Sequence, residues 1–516
     1  MTRPAFVSDK LVQDLVSRVR STTGSTWKLT EVYTGDLVVE LPQSGPEDIA
    51  ASYDEARAVQ ARWAQLPLKQ RLAVFSRFHS LVIDEQEHIA DIIQVESGKN
   101  RRMAVEETCD IPMVVSHYLR RAPKLLADRK RGGPIPVISH SLEIRQPKGV
   151  VAVIAPWNFP FACAISDAVP ALMAGNGVVL KPDNKTALSA LYGVRLLEQA
   201  RLPRGLMQVV CGEGPDVGPT LIDHANFVQF TGSTATGRVI GERAGRNLIG
   251  CCLELGGKNP MIVLPDANLD EVVTASVFAA FGNTGQICMH IERMYVHDSL
   301  YDEFRARFVE VTKGLNVAGA YDYSADVGSL VSEDHMARVK AHVDDAVAKG
   351  ATVLAGGHPL PELGPAFFAP TILEGVTKDM LAGDCETFGP VVALHRYTDV
   401  EEAIALANDT TYGLNASVWG SEQAAVAVAR RIESGNVNVN DILATAFASK
   451  GTPSGGVKQS GVGWRHGDYG LLKYTDVQNM GVLRKQVMGP QPGQSYDDYA
   501  RQTRISLKLM RRMRVR

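Results

Sequence analysis

The sequence predicts an α/β protein with parallel sheets, and three observations carry that prediction. Short, nearly all-apolar runs alternate with helical patterns from residue 149 onward. Polar, Gly-rich motifs fall just after those runs. A second alternating series follows the first. Fully buried parallel strands read as continuous apolar runs, because helices cover both faces of the sheet.

The elements follow in order. Residues 47–66 and 70–97 space their apolar residues near 3.6, with charges between, and predict helices. Gly149 to Ala155 is an apolar run that stops at Pro156. Val178 to Leu180 stops at Lys181-Pro182, Met207 to Val210 at Cys211-Gly212, and Phe227 to Phe230 at Thr231-Gly232. Helical patterns such as 186–201 separate these four strands. Ligands on such sheets sit beyond the carboxyl ends of the strands, where the polar motifs lie. The second series comprises strands at 261–264, 294–296, 351–354 and 391–393, with helices at 400–409 and 421–434. It predicts a second α/β domain beginning near Glu254–Pro260.

At 516 residues the chain exceeds one hydrophobic core. Its composition, 45% hydrophobic and 22% charged, is that of an ordinary globular protein. Residues 501–516 hold Arg501, Arg504, Lys508, Arg511, Arg512, Arg514 and Arg516 and no acid. Removing those seven positive charges from the formal net charge of −3 leaves −10 for the rest, which offers nothing to nucleic acid. The N-terminus has no apolar run of signal-peptide length, and no run of 18 apolar residues suggests a membrane span. Seven cysteines, without a CxxC pair, fit reduced thiols in a cytoplasmic protein. The histidines lack metal-ligand spacing, so no metal is expected.

Three motifs carry chemistry. Phe230-Thr-Gly-Ser-Thr-Ala-Thr-Gly237 follows a strand and opens a helix. Its small residues admit a pyrophosphate to the helix N-terminus, although such a turn is also an ordinary loop. Glu254-Leu-Gly-Gly-Lys-Asn-Pro260 sets an acid beside a Gly pair, either a poised carboxylate at a domain junction or a surface acid capping a turn. Phe281-Gly-Asn-Thr-Gly-Gln-Ile-Cys288 sets one Cys after a Gly-rich approach. At a helix start that thiol would have a lowered pKa; the alternative is a buried, inert Cys.

Taken together, Pro156-Trp-Asn158-Phe-Pro160, Lys181-Pro182, the 230–237 loop, Glu254, Cys288, Glu386-Thr-Phe-Gly-Pro390 and Tyr412-Gly-Leu414 occur in one order. That order resembles the aldehyde dehydrogenase superfamily over about residues 30–485. The resemblance implies a Rossmann-type nucleotide domain (1–128 and 149–254), a catalytic α/β domain (255–464) and a small β oligomerisation element (129–148 and 465–486). Residues 487–516 remain as a basic tail.

It further implies that Cys288 is the nucleophile, that Asn158 and the Cys288 N–H bind the oxyanion, and that Glu254 activates water for thioester hydrolysis. Lys181 and Glu386 correspond to groups on the two riboses, and Ser233 to a pyrophosphate contact. Pro156, Trp157, Asp183, Asn184, Gly232, Gly237, Leu255 and Phe388 complete the expected cofactor site. The cofactor is NADP⁺ or NAD⁺. Asn184 stands where the family often has a Glu that would repel a 2′-phosphate, which favours NADP⁺, although Asp183 is an acid beside it. Strands at 139–145 and 473–478 imply a homodimer or a dimer of dimers.

Residues 149–190, 327–330, 413–417 and 455–461 resemble the actinobacterial succinate-semialdehyde dehydrogenase branch, so succinate semialdehyde is the expected substrate. Many enzymes of that activity hold the substrate carboxylate with an Arg in the helix after Pro160. Here Ser166 takes that place, with Asp167 beside it. Arg465 or Lys458 is then the expected carboxylate partner. Phe161, Phe447 and Trp464 point instead to an apolar or aromatic-aldehyde tunnel. A catalytically silent homologue would commonly have lost Cys288 or Glu254, and a CoA-acylating relative would not require Glu254. His290, two residues after the nucleophile, offers no second thiol for a disulfide. The tail interleaves Ile505, Leu507, Leu509, Met510, Met513 and Val515 with its basic residues. Packing on the acidic body or a frayed end is the expected reading, with contact to an anionic membrane surface the alternative.

Overall fold

The computed structural model describes residues 3–134, 138–484 and 489–512. The chain divides into two compact units, a large one of residues 1–125 with 147–475 and a small one of residues 126–146 with 476–516.

The large unit carries two large sheets and two two-stranded ones. The first has the strand order Gly461–Val462, Gly250–Glu254, Phe227–Thr231, Val150–Ile154, Gly177–Lys181, Met207–Val209. All but Gly461–Val462 pair in parallel. Val150–Ile154 is central, and the chain builds outward from it first on one side and then on the other. The order therefore reverses between Val150–Ile154 and Phe227–Thr231, the position where a crevice opens beyond the strand ends. Pro156 to Asn158 leave one of these strands, and Gly232 and Ser233 leave the other. Helices 46–65 and 214–223 cover one face of this sheet through Ile49, Tyr53, Val217 and Leu221, all buried.

The second sheet has seven strands, in the order Thr352–Ala355, Thr371–Glu374, Val391–Tyr397, Ile291–His297, Asn259–Val263, Asn415–Trp419, Asn436–Val439. Its one antiparallel pair joins the first two. Both faces are packed, one by Phe281, Phe304 and Phe308 and the other by Tyr397, Ile404 and Ala425.

The expected strands and helices mostly recur, with differences of physical origin. The 70–97 pattern is two helices, Leu68–Asp84 and Gln86–Ser97, broken at Glu85. The 421–434 pattern stops as helix at Ala429. The strands 371–374, 415–419 and 436–439 were not anticipated. Asn415, Ser417, Asn436 and Asn438 put polar residues at buried strand positions, which hides the apolar signature.

The small unit is a three-stranded sheet, ordered Thr475–Leu483, Ser139–Pro147, Arg129–Gly132, with a terminal helix Tyr496–Arg512. Residues 465–475, expected in the bridging element, fall in the large unit. No residue of the terminal helix is buried. Met513, Arg514, Val515 and Arg516, part of the tail reading, lie outside the described residues. Among the described residues no helix is long and apolar enough to cross a membrane, and no cluster of His, Cys, Asp or Glu is placed to hold a metal.

Candidate active site

A cavity of about 590 Å³ collects Pro156, Trp157, Asn158, Gly232, Ser233, Glu254, Leu255, Cys288, Glu386 and Phe388, residues up to 232 positions apart in the chain. Each is held by a local device.

Asn158 is positioned from behind. Glu107 accepts from the backbone N–H of Phe161 at 2.9 Å and of Ala162 at 3.0 Å, capping helix Pro160–Met173. Its other oxygen pairs with Lys99 Nζ at 2.5 Å, and Lys99 also donates to the Asn158 carbonyl at 2.7 Å. Lys99 and Glu107 are fully buried, so this charge pair needs all of those bonds to offset its desolvation.

The Cys288 turn is tied down on both sides. Asn283 and Thr284 sit in the left-handed region, with φ 49° and 56°. Gly285 also has positive φ, and a Cβ there would lie 2.0 Å from the Gly389 carbonyl. Asn259 Nδ2 donates to the carbonyls of Cys288 at 2.8 Å and His290 at 2.7 Å. Cys288 therefore lies in a turn before strand Ile291–His297, and not at a helix start. The lowered thiol pKa expected of a helix start is absent. Burial pushes the thiol up to about 12, against the pull of Arg465. Cys288 is nonetheless partly exposed toward the cavity.

Glu254 ends its strand paired with Gly461. Burial raises its carboxyl to about 7, with Arg465 and Lys473 pulling the other way. Among the described residues its Oε1 has no hydrogen-bond partner. A buried carboxylate oxygen without a partner is costly, and at a reaction site it is what a water-activating base requires.

The other side of the cavity bears the features a dinucleotide needs. Ser233 caps helix Thr234–Arg246, whose first turn has no acid to repel a phosphate. A Cβ at Gly232 would meet the Phe230 ring at 2.5 Å, and one at Gly256 the Glu386 carboxylate at 2.3 Å. At Gly237 it would meet Leu255 at 2.4 Å, so the helix packs close. Glu386 accepts from the Gly257 N–H at 2.8 Å, and burial raises its carboxyl to about 8. Glu292, paired with Lys258, accepts from the N–H groups of Thr387 at 2.9 Å and Phe388 at 3.0 Å. Phe388 and Trp157 meet edge-on at 5.5 Å. The residues fit. Lys181, Asp183 and Asn184 lie beyond the next strand. Lys181 donates to the Pro182 carbonyl, Asp183 caps Lys185, and Asn184 is buried against Gln43 at 2.9 Å and Glu213 at 3.4 Å.

The expected substrate residues divide. Phe447 lines the cavity. Arg465 lines it too, with Nε and Nη2 on Asp167 and Nη2 also on Thr231. Lys458 lies elsewhere, held by Glu433 at 2.6 Å and the Asn408 carbonyl at 2.9 Å. Phe161 is fully buried in the core behind the site. Trp464 is half-buried and does not line the cavity. Sequence reading missed Lys99, Glu107, Gln286, Glu292, Asp110, Lys450 and His466. A buried polar residue on a helix carries no local signal of its partner, although Asn259 and Lys258 stood inside a motif already noted.

The aldehyde dehydrogenase family model matches residues 19–480. A Mycolicibacterium smegmatis protein named "Putative succinate-semialdehyde dehydrogenase [NADP(+)]" is 47% identical over 466 residues, 90% of each chain. "Glutarate-semialdehyde dehydrogenase" of Pseudomonas aeruginosa is 34% identical and matches 89% of this chain and 95% of its own. The crystal structure of an aldehyde dehydrogenase from Brucella melitensis superposes with TM-score 0.86 at 33% identity, covering 91% of this chain and 96% of that one. Betaine aldehyde dehydrogenase of Staphylococcus aureus, solved with NAD⁺, superposes with TM-score 0.88 at 28% identity, covering 93% and 97%. The chain belongs to the aldehyde dehydrogenase family and is an NAD(P)⁺-dependent aldehyde oxidoreductase.

Proposed function

We propose that the chain oxidises succinate semialdehyde to succinate with NADP⁺, using Cys288 as nucleophile, Asn158 as oxyanion donor and Glu254 as base. The observation that carries the mechanism is one cavity wall holding Cys288, Asn158 and a Glu254 oxygen with no partner. The substrate and cofactor choices rest on the relatives' names and on Asn184, which adds no charge beside a 2′-phosphate.

Cys288 adds to the aldehyde carbon, and its proton leaves toward Glu254 through water. The oxyanion of the tetrahedral adduct receives Asn158 Nδ2–H and the Cys288 N–H; one such donor is worth roughly 10²–10³ in rate. Lys181, Ser233 and Glu386 would hold the dinucleotide, which would supply the hydride acceptor for oxidation of the adduct to a thioester. Glu254 releases the first proton to solvent; ionised again, it takes a proton from the attacking water, the hydroxyl adds to the thioester carbonyl, and Cys288 leaves. Retention of Glu254 favours water over CoA as acyl acceptor.

Cys288→Ala tests the reading. Activity should vanish while NADP⁺ binding by fluorescence titration persists; a variant keeping more than a few per cent of the rate removes Cys288 from this role.

The same reading makes the enzyme a cytoplasmic homodimer or dimer of dimers, with the nucleotide, catalytic and bridging regions divided as the resemblance implies. It also gives the tail a peripheral contact with an anionic membrane surface. In support, Arg501, Arg504, Lys508 and Arg511 recur at helical spacing, and Ile505, Leu507 and Leu509 are exposed.

A further inference from the structure

One end of the cavity is polar in a way the mechanism does not use. Asp110, Ser166, Lys450 and His466 all line it, beside Met113, Val114 and Phe447. Lys450 Nζ donates to Asp110 Oδ1 at 2.6 Å, to the Phe447 carbonyl at 3.1 Å and toward His466 Nε2 at 3.2 Å. Ser166 Oγ donates to the other Asp110 oxygen. An ammonium only donates, so His466 Nε2 must accept and Nδ1 must carry the imidazole proton. That Nδ1–H has no partner among the described residues, although His466 is only 6% exposed. Burial and the Lys450 ammonium hold His466 well below its usual range, so it stays neutral. Burial would raise the Asp110 carboxyl, but the Lys450 ammonium and the Ser166 hydroxyl together hold it low and ionised.

Each cation lining the cavity has partners of its own, Lys450 included. Arg465 is bidentate on Asp167. Lys473 donates to Gln229 at 2.7 Å, on the sheet below Glu254. Arg338 contacts His335 beside Trp157, on the cofactor side. Lys450 is the cation standing among the apolar residues Met113, Val114 and Phe447, with a neutral, unpaired N–H next to it.

We propose that Lys450 and His466 form the subsite that selects aldehydes bearing a carboxylate at the far end, with Asp110 as the internal counter-ion the substrate must share. The proposal rests on the succinate-semialdehyde reading and names the group that supplies its specificity. An incoming carboxylate accepts from His466 Nδ1–H and from one Lys450 N–H released from the Phe447 carbonyl. Asp110 pairs with Lys450 between turnovers, competes with the substrate for it and so weakens its hold on the substrate. It follows that removing Asp110's charge should improve binding, which no purely structural role predicts.

The test compares kcat and KM for succinate semialdehyde and for butanal, an uncharged probe of the same carbon number. The wild type should prefer succinate semialdehyde. Asp110→Asn should lower its KM severalfold and leave butanal unchanged. Lys450→Met should raise its KM at least tenfold with kcat for butanal retained. Because Lys450→Met strands a buried carboxylate, Lys450→Met with Asp110→Asn provides a neutral pair that should show the same loss of preference. If the wild type prefers succinate semialdehyde and the double variant keeps that preference, the Lys450 subsite is overturned and the substrate reading stands. If the wild type shows no preference, both fall.

Discussion

The side-chain amide of Asn158 donates to the carbonyl of Gln286 at 2.9 Å, two residues ahead of Cys288 in the chain. One Asn thus steadies the Cys288 turn with one N–H and has a second N–H to offer as the proposed oxyanion donor. Asn158→Ala should lower kcat by roughly 10²–10³ through the lost oxyanion donor. Pre-steady-state rates should show the loss before thioester formation; an unchanged acylation rate would remove Asn158 from the oxyanion site.

Glu254→Gln should give a burst of reduced cofactor followed by a stall, because the base acts on thioester hydrolysis. In the wild type that hydrolysis should rise with pH through about 7, where Glu254 ionises. Steady-state turnover equal to the wild type would contradict this.

The same carboxyl links stability to pH. Its folded pKa is raised from 4.5 to about 7, so it favours the fold below 4.5, and that favour is lost as pH rises through 7. Relative to Glu254→Gln, the wild type should lose about 3 kcal/mol across that window and nothing further above it. A melting-temperature difference between the two that is flat from pH 4.5 to 8 would refute the raised pKa.

Asn184→Glu should move cofactor preference toward NAD⁺, by roughly tenfold in the kcat/KM ratio, since a carboxylate near the 2′-phosphate repels it. The buried amide's bond to Gln43 would also be disturbed, so the ratio of the two cofactors is the readout and not the rate with either. An unchanged ratio sinks the assignment.

The strand Thr475–Leu483 is an outer strand of its sheet, with Val477, Met480 and Leu483 exposed at 56%, 43% and 41%. An open edge with apolar side chains invites a second chain. Light scattering at micromolar concentration should give a dimer or tetramer, and Val477→Lys with Met480→Lys should shift it toward monomer. A monomeric wild type would end the proposal.

Deleting residues 495–516 should leave kcat and KM unchanged, because no residue of helix Tyr496–Arg512 is buried. The full-length chain should sediment with anionic vesicles at low salt, and the deletion should not. If both float free, the tail does not bind lipid.

How much of this was legible in the chain is clear from particular residues. The central strands announced themselves as apolar runs, because a parallel strand covered on both faces has no polar position to offer. Pro156 to Asn158 and Gly232-Ser233 were legible because each leaves such a strand at its carboxyl end, where the backbone itself aims the next residues at the crevice; Glu254 stood out by its Gly pair, while its own strand Gly250–Glu254 was not anticipated. Cys288 was legible by its Gly-rich approach, but not its protonation. The turn's geometry denies it a helix dipole, and the surrounding wall desolvates the thiol. Phe161 and Phe447 looked alike in sequence, and packing sent one into the core and the other to the cavity. Arg465 and Lys458 looked alike as cations in sequence, and packing put Arg465 at the cavity beside Asp167 and Lys458 away from it beside Glu433. Fold class and family could be read from the chain, because they depend on local periodicity and on short motifs at strand ends. Which charges are spent on each other and which face the substrate emerged only from the packing of distant elements. An ion pair such as Lys450 with Asp110 joins residues 340 positions apart, and no local pattern records it.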